Sequence, residues 1–212
     1  MWIRWHGHSC FEVKDGATVI TDPHDGKSIG IPAPNLRGDI VLISHSHYDH
    51  NCARLVDGQE LSVIKDPIMT VERGVRIQGI ETFHDAHHGD KRGGNIAFKF
   101  EMDGVTFCHL GDLGHMLDDS QLSKVGTPDV LFIPVGNVFT LDVKTAIRLA
   151  EEIQPKVIIP MHFKIGGLSL PIHPVEEFLS GFPEERVVKV GNEIEFAQND
   201  LPGNGEVWVF SL

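Results

Sequence analysis

A run of metal-binding residue types directly follows a predicted buried strand. Residues 40–43 form a continuous apolar run of strand length, and residues 44–50 read Ser-His-Ser-His-Tyr-Asp-His. Such an apolar run is typical of a strand buried on both faces of a sheet. Ligand sites form where strands of this kind end, so we expect three imidazoles and one carboxylate to lie at a sheet edge. A solvated histidine-rich loop is the alternative, and the position at a strand end disfavours it.

The spacing within this run favours two metal ions. In an extended chain His45 and His47 project to the same side and can bind one cation. Asp49 and His50 lie in the turn beyond and can face a second cation. These four side chains cannot complete two coordination shells by themselves, so other segments must supply further ligands.

Three other predicted strand ends carry candidate ligands. His84, Asp112 and His162 each lie within a few residues of an apolar β-run, so all three could converge on one edge of the sheets. His87 and His88 compete with His84 for the same role. We favour His84 because it is nearest the end of its strand.

The apolar pattern predicts an α/β fold with two mixed sheets and helices outside, an αββα layering, in a single domain over residues 1–212. Short alternating runs indicate antiparallel strands between residues 3 and 20 and between residues 75 and 108. Apolar residues at helical spacing predict a helix from Val143 to Ile153, which Thr140 or Asp142 can cap. A shorter helix is expected near residues 175–179, and strands follow it.

Composition restricts the partners that this chain can bind. Its 18 Lys and Arg against 30 Asp and Glu give a net charge of −12, which disfavours nucleic acid. Three scattered cysteines suggest neither disulfides nor a thiolate zinc site, and we expect them to be reduced and buried. With no apolar run long enough for a membrane span and no signal-peptide pattern, we expect a cytoplasmic protein. A homo-oligomer is left open.

These motifs, in this order, resemble the metallo-β-lactamase superfamily over nearly the whole chain. The opening Trp5-His6-Gly7-His8-Ser9-Cys10-Phe11 and the segment His109-Leu110-Gly111-Asp112 are similar to the branch containing L-ascorbate-6-phosphate lactonase and other small metal-dependent hydrolases. The resemblance implies a four-layer αββα sandwich. It also implies one metal bound by His45, His47 and His84, a second bound by Asp49, His50 and His162, and Asp112 bridging the two.

The resemblance and the charges together imply a hydrolytic mechanism. We expect two divalent ions, zinc first and manganese or iron as alternatives, with a bridging hydroxide as nucleophile and Asp49 as its orienting ligand. His8 and His109 are candidate proton donors, and either could instead orient a ligand through its ring N–H. Arg92 and Lys164 are candidates for holding an anionic group of the substrate, although solvated loop charges are the alternative.

Three functions compete at this stage. The leading hypothesis is a binuclear metal-dependent hydrolase of a small anionic ester, lactone or phosphodiester. The first alternative is an RNA-processing phosphodiesterase or nuclease, which the acidic charge balance opposes. The second is a non-catalytic metal-binding protein of the same fold, which the complete set of candidate ligands opposes.

Overall fold

The computed structural model describes residues 1–203 and 205–212. The described residues form sixteen strands, and their bounds are β1 (Trp2–Trp5), β2 (Phe11–Asp15), β3 (Ala17–Thr21), β4 (Leu36–Arg37), β5 (Ile40–Leu42), β6 (Val56–Asp57), β7 (Ser62–Ile64), β8 (Met69–Glu72), β9 (Val75–Phe83), β10 (Gly94–Met102), β11 (Val105–His109), β12 (Val130–Pro134), β13 (Val157–Met161), β14 (Val187–Gly191), β15 (Glu193–Glu195) and β16 (Glu206–Phe210). The α-helices of this part are α1 (Asp119–Val125), α2 (Val143–Ile153) and α3 (Glu176–Leu179).

Two large mixed sheets pack face to face. One has six strands in the order β15-β1-β2-β3-β5-β7, and the other has eight in the order β14-β16-β13-β12-β11-β10-β9-β8. One main apolar cluster contains side chains from both sheets, among them Phe11 and Leu42 from the first and Phe107 and Phe132 from the second. The predicted sandwich of mixed sheets is therefore confirmed.

The outer faces of the two sheets are covered differently. Helix α1 packs on β9, α2 packs on β12, and α3 packs on α2, so these helices lie against the eight-stranded sheet. On the six-stranded sheet, Ile20 and Val41 pack with Leu36 and Val56 of a small β4-β6 ribbon. The segment between β3 and β5 contains several proline and glycine residues, which disfavour a helix there. The ribbon takes the place of the helix expected on this face.

Helix α2 begins where its capping signal predicts. Of the two expected caps the structure selects Asp142, whose carboxylate accepts from the backbone N–H of Thr145 at 2.9 Å and from its hydroxyl at 2.7 Å. Ala146, Leu149, Ala150 and Ile153 form the buried face of the helix. The 3.6-residue apolar period thus gives both the helix and the side that it buries.

We expect Asp142→Ala to lower the free energy of unfolding by about 1 kcal/mol, because it removes the acceptor for otherwise unpaired N–H groups at the start of α2. These hydrogen bonds also lower the pKa of Asp142, so the stabilisation should be present at neutral pH and lost as the pH falls through the folded-state pKa. Urea denaturation of the wild type and the variant at a series of pH values from 7 downwards measures both effects. Glu152→Ala, which removes an exposed carboxylate near the other end of α2, is the control; an equal loss of stability in the two variants at pH 7 would contradict the capping role.

Candidate metal centre

The topology brings five strand ends to one edge of the sandwich. Strands β1 and β5 run in the same direction within the six-stranded sheet, and β9, β11 and β13 do so within the eight-stranded sheet. The seven candidate ligands follow the carboxyl ends of β5, β9, β11 and β13, and they are His45, His47, Asp49, His50, His84, Asp112 and His162. His8, the candidate proton donor, follows β1 and lies at the same edge. The convergence expected from the sequence is therefore present in the fold.

Two clusters of donor atoms form at this edge. His45, His47 and His84 form the first, with His45 Nε2 3.0 Å from His47 Nδ1. The residues of the second cluster are all buried, and they are His8, Asp49, His50 and His162. Within each cluster the donor atoms lie within 4.8 Å of one another.

Asp112 lies between the two clusters. Its Oδ2 atom is 3.2 Å from His84 Nε2 of the first cluster, and it is 3.3 Å from His50 Nε2 and 3.1 Å from His162 Nε2 of the second. Its other oxygen, Oδ1, is buried and has no hydrogen-bond partner among the described residues. A buried carboxylate that faces imidazole nitrogens of both clusters and has one unpartnered oxygen could help to hold a divalent cation in either cluster.

Hydrogen bonds set the ring orientation of two of the imidazoles. The carboxylate of Asp22 accepts from His50 Nδ1 at 3.0 Å and from the Ser44 hydroxyl at 2.6 Å. The Ser44 oxygen in turn lies 2.9 Å from His45 Nδ1 and can accept its proton. Both rings are thereby oriented with Nε2 towards the donor clusters. Such support of metal-binding imidazoles is common in metalloproteins, and here Asp22, directly after β3, provides it.

Asn95 holds the backbone that carries Asp112. Its side-chain oxygen accepts from the Asp112 N–H at 2.9 Å, and its amide group donates to the Leu110 carbonyl at 2.9 Å. Gly111 between them has φ +57, and a Cβ there would lie 2.4 Å from the Asn95 oxygen and 2.5 Å from Ser44 Cβ. Only glycine fits this turn without displacing both neighbours.

Burial keeps several of these imidazoles neutral. It lowers the pKa of His8 to about 3 and that of His45 to about 3. The pKa of Asp49 is also low, because the hydrogen bond from His8 and the charge of His50 outweigh its burial. Neutral imidazoles and ionised carboxylates are the protonation states that bind divalent cations.

Two predicted site residues have other roles in the structure. His109 is buried, donates from Nε2 to the Ser9 carbonyl at 3.0 Å and accepts at Nδ1 from the Gly111 N–H at 3.2 Å. Because both of its ring nitrogens are engaged, His109 supports the turn before Asp112, and the geometry does not favour it as a proton donor. Lys164 donates to the carbonyls of Leu168 and Leu170, so its ammonium group holds a loop together instead of facing the pocket. Long-range or loop-dependent partners of this kind give no signal in the sequence.

The remaining predicted site residues differ in how far they are buried. His84 is 2% exposed and contacts Asp112, whereas His87 and His88 are exposed. Arg92 lines a pocket of about 250 Å³ beside the donor clusters. The other lining residues are His47, Tyr48, Asp49, His84, Asp112, Phe139, His162 and Leu170. The local sequence does not mark Tyr48, Phe139 or Leu170 as pocket residues.

The loop that carries Arg92 is built around Asp85. The Asp85 carboxylate accepts backbone N–H groups of four residues, His87, Gly89, Lys91 and Arg92, at 2.7 to 3.1 Å. The guanidinium of Arg92 lies over the ring of Phe139, 4.5 Å from its centroid, in cation–π geometry. One cation is thus fixed at the rim of a pocket whose floor carries the metal-binding side chains.

Comparison with known proteins identifies the family. Residues 2–162 match the model of the beta-lactamase superfamily domain. The chain belongs to this superfamily. A UPF0173 metal-dependent hydrolase of Thermoplasma acidophilum is 29% identical over 190 residues, which cover 78% of this chain and 84% of that protein. A UPF0173 metal-dependent hydrolase of Nitratidesulfovibrio vulgaris is 32% identical over 193 residues, covering 76% and 79%.

A solved structure extends the match to the whole fold. It is a protein of Thermotoga maritima, described as a candidate Zn-dependent hydrolase of the metallo-β-lactamase superfamily, with 40% identity and a TM-score of 0.83. The alignment covers 99% of this chain and 97% of that one. Together with the His and Asp clusters, these matches make the protein a metal-dependent hydrolase of the metallo-β-lactamase fold. Within the described ranges, every helix is too short or too polar to cross a membrane.

Proposed function

We propose that the protein uses two divalent metal ions, with zinc as the expected metal, to hydrolyse a small anionic ester, lactone or phosphodiester. One observation carries the proposal: two donor clusters share the Asp112 carboxylate, and the fixed Arg92 guanidinium lies at the rim of the same pocket. When bound, the ions supply a Lewis acid and lower the pKa of bound water to about 7. Asp49, at the pocket wall, is the side chain placed to orient that water.

Charge supports an anionic substrate. Two divalent ions outweigh the charges of Asp49 and Asp112, and Arg92 adds a further positive charge at the rim. The chain as a whole carries −12, and at physiological salt this charge acts over about 8 Å. A compact anion is therefore attracted once it is inside the pocket, whereas a long polyanion also meets the acidic surface.

Size and lining support a small substrate. The pocket of about 250 Å³ is below the range of about 300 to 1,000 Å³ that drug-sized ligands occupy. Phe139 and Leu170 supply an apolar wall to the lining. A lactone ring or short acyl group can lie against this wall while its anionic group reaches Arg92. A larger cavity of about 890 Å³ lies on the surface around Glu12, Lys14 and Arg37, but its lining includes none of the candidate ligands.

The test is a substrate panel with metal-replete protein and an Arg92→Gln variant. The panel contains bis(4-nitrophenyl) phosphate, 4-nitrophenyl acetate, and a sugar γ-lactone with and without a 6-phosphate. We expect turnover of at least one anionic compound. Arg92→Gln should raise its KM about tenfold or more with unchanged metal content, since a charge-assisted contact contributes about 1.5 to 3 kcal/mol. The KM for a neutral compound should not change.

Lys91→Gln is the matched control, because Lys91 is an exposed cation next in sequence to Arg92 and outside the pocket lining. Its KM values should equal those of the wild type. No turnover of any compound by protein that contains two metal ions would contradict the hydrolase proposal for these substrate classes. Endonucleolytic cleavage of tRNA at physiological salt would instead favour a nuclease.

A further inference from the structure

His8 occupies an unusual backbone position beside the second donor cluster. It has φ 54, in the left-handed region that few residues other than glycine adopt, and it is fully buried. Its carbonyl accepts from Trp5 Nε1 at 3.1 Å and from the His162 N–H at 3.2 Å, which fixes this conformation. The ring lies 4.2 Å from the ring of His162, which is also left-handed, at φ 55. Strained backbone held by its surroundings is frequent at functional sites.

The ring of His8 faces the same point as the other donors of this cluster. Its Nε2 is 3.1 Å from Asp49 Oδ2 and 3.1 Å from His50 Nε2. Four- or five-coordinate zinc with bonds of about 2.0 to 2.2 Å holds adjacent nitrogen and oxygen donors about 2.9 to 3.6 Å apart. The separations around His8 therefore match those between ligands of one ion.

The partners of His50 favour ligation over a simple hydrogen bond. His50 Nδ1 donates to Asp22, and its Nε2 faces His8 at 3.1 Å and Asp112 at 3.3 Å. His8 Nε2 thus lies at the same distance from a second imidazole nitrogen and from a carboxylate oxygen. One ring nitrogen cannot satisfy both neighbours by hydrogen bonding, since it either donates or accepts, whereas a cation among them is bound by all three groups at once.

The two clusters differ in the number of protein donors that they offer. Both reach the pocket, the first through His47 and His84 and the second through Asp49 and His162. With His8 and the shared Asp112, the second cluster offers five donors, against four for the first, and its residues are all buried. In metalloproteins a closed ligand set is typical of tightly held ions, and catalytic ions keep an open position.

We propose that His8 is a direct metal ligand that completes a closed second position with Asp49, His50, His162 and the shared Asp112. The first position, with His45, His47 and His84, then keeps its free coordination face towards the pocket. The proposal rests on the proposed two-metal function. It gives the two ions different roles. The ion at the position with His8 binds before the other and stays bound. The ion at the position with His45, His47 and His84 exchanges, and this position receives the substrate.

Titration of the full-length, metal-stripped protein with Co²⁺ tests this assignment. Bound cobalt is counted by elemental analysis, affinity is measured against a chromophoric chelator, and the visible spectrum reports the coordination of each ion. We expect the wild type to bind two ions in two steps. His8→Gln should weaken the tighter step by more than about 100-fold and change the spectrum of that ion, since a glutamine amide can donate a hydrogen bond to Asp49 but ligates poorly.

Three variants complete the design. His8→Asn is the second substitution, because asparagine tolerates a left-handed backbone and its shorter side chain removes the donor. His88→Gln replaces an exposed histidine and should leave both steps unchanged. His47→Gln should weaken the other, looser step. Circular dichroism of the metal-free proteins checks that each variant is folded.

The failures of the two proposals are distinguishable. Wild-type affinity and spectrum in folded His8→Gln and His8→Asn would overturn ligation by His8, as would weakening confined to the looser step. A wild-type chain that never takes more than one ion contradicts the two-metal function. Loss of that single ion in His8→Gln would still support His8 as its ligand.

Discussion

Asp112→Asn is expected to reduce the metal content of the protein from about two ions per chain to one or none, and to reduce hydrolysis by more than about 100-fold. Losing an outer partner of a metal ligand costs about 10 to 100-fold, and losing a ligand shared by two ions should cost more. The carboxylate is 3.1 to 3.3 Å from imidazoles of both clusters, and asparagine has the same shape without the charge. The Asp112 N–H bond to Asn95 should remain.

Elemental analysis of dialysed protein and initial rates on the same preparation measure these effects. Asp90→Asn is the control, because Asp90 is an exposed carboxylate in the loop that follows His84. It should keep wild-type metal content and rates. An Asp112→Asn variant that retains two tightly bound ions would contradict the bridging role, whatever its activity.

The parts of the fold that were predictable are those in which a short-range pattern coincides with burial. The apolar run at residues 40–43 lies between two apolar layers, with Leu42 in the core between the sheets and Val41 in the cluster outside. Helix α2 has both an amphipathic period and a capping residue at the predicted position. In each case the sequence neighbours themselves determine the structure.

Helix α1 was not predicted, although its start carries a recognisable signal. Asp118 and Gln121 form a capping box, and Gly126 follows the last residue. The helix spans seven residues and buries only Gln121 and Val125, so its apolar period is too short to detect. Edge strand β8 is similar, because its residues alternate between exposed and half-buried and no apolar face marks it.

The candidate site was predictable where ligands follow strand ends, and it was not where a role depends on a distant partner. The ring of His8 lies beside that of His162, which is far away in the sequence, so the sequence left its role open between proton donor and ligand support. His109 has the same residue type and is the last residue of strand β11, yet its Nε2 donates to the carbonyl of Ser9, in the loop between β1 and β2 of the other sheet. Neither contact follows from local spacing.

A comparison among the three clustered histidines has the second largest expected effect. His84→Ala should lower metal content and reduce hydrolysis by more than about 100-fold, because the ring is buried and contacts both Asp112 and the rings of His45 and His47. His87→Ala and His88→Ala should each retain full metal content, since both side chains are exposed. The same residue type within five positions gives a matched series.

The difference expected between His84 and its two neighbours depends on how the chain leaves β9. Phe83 is the last residue of the strand, and its N–H is held by His115 Nε2 at 3.0 Å, while the His84 N–H bonds to the Gly93 carbonyl at 3.1 Å. These bonds fix the direction in which the chain leaves the sheet and direct the ring of His84 towards the site. Metal analysis and rates for the three variants decide the matter: if His87→Ala loses the metal and His84→Ala keeps it, the loop rearranges around the ions and the ligand is His87.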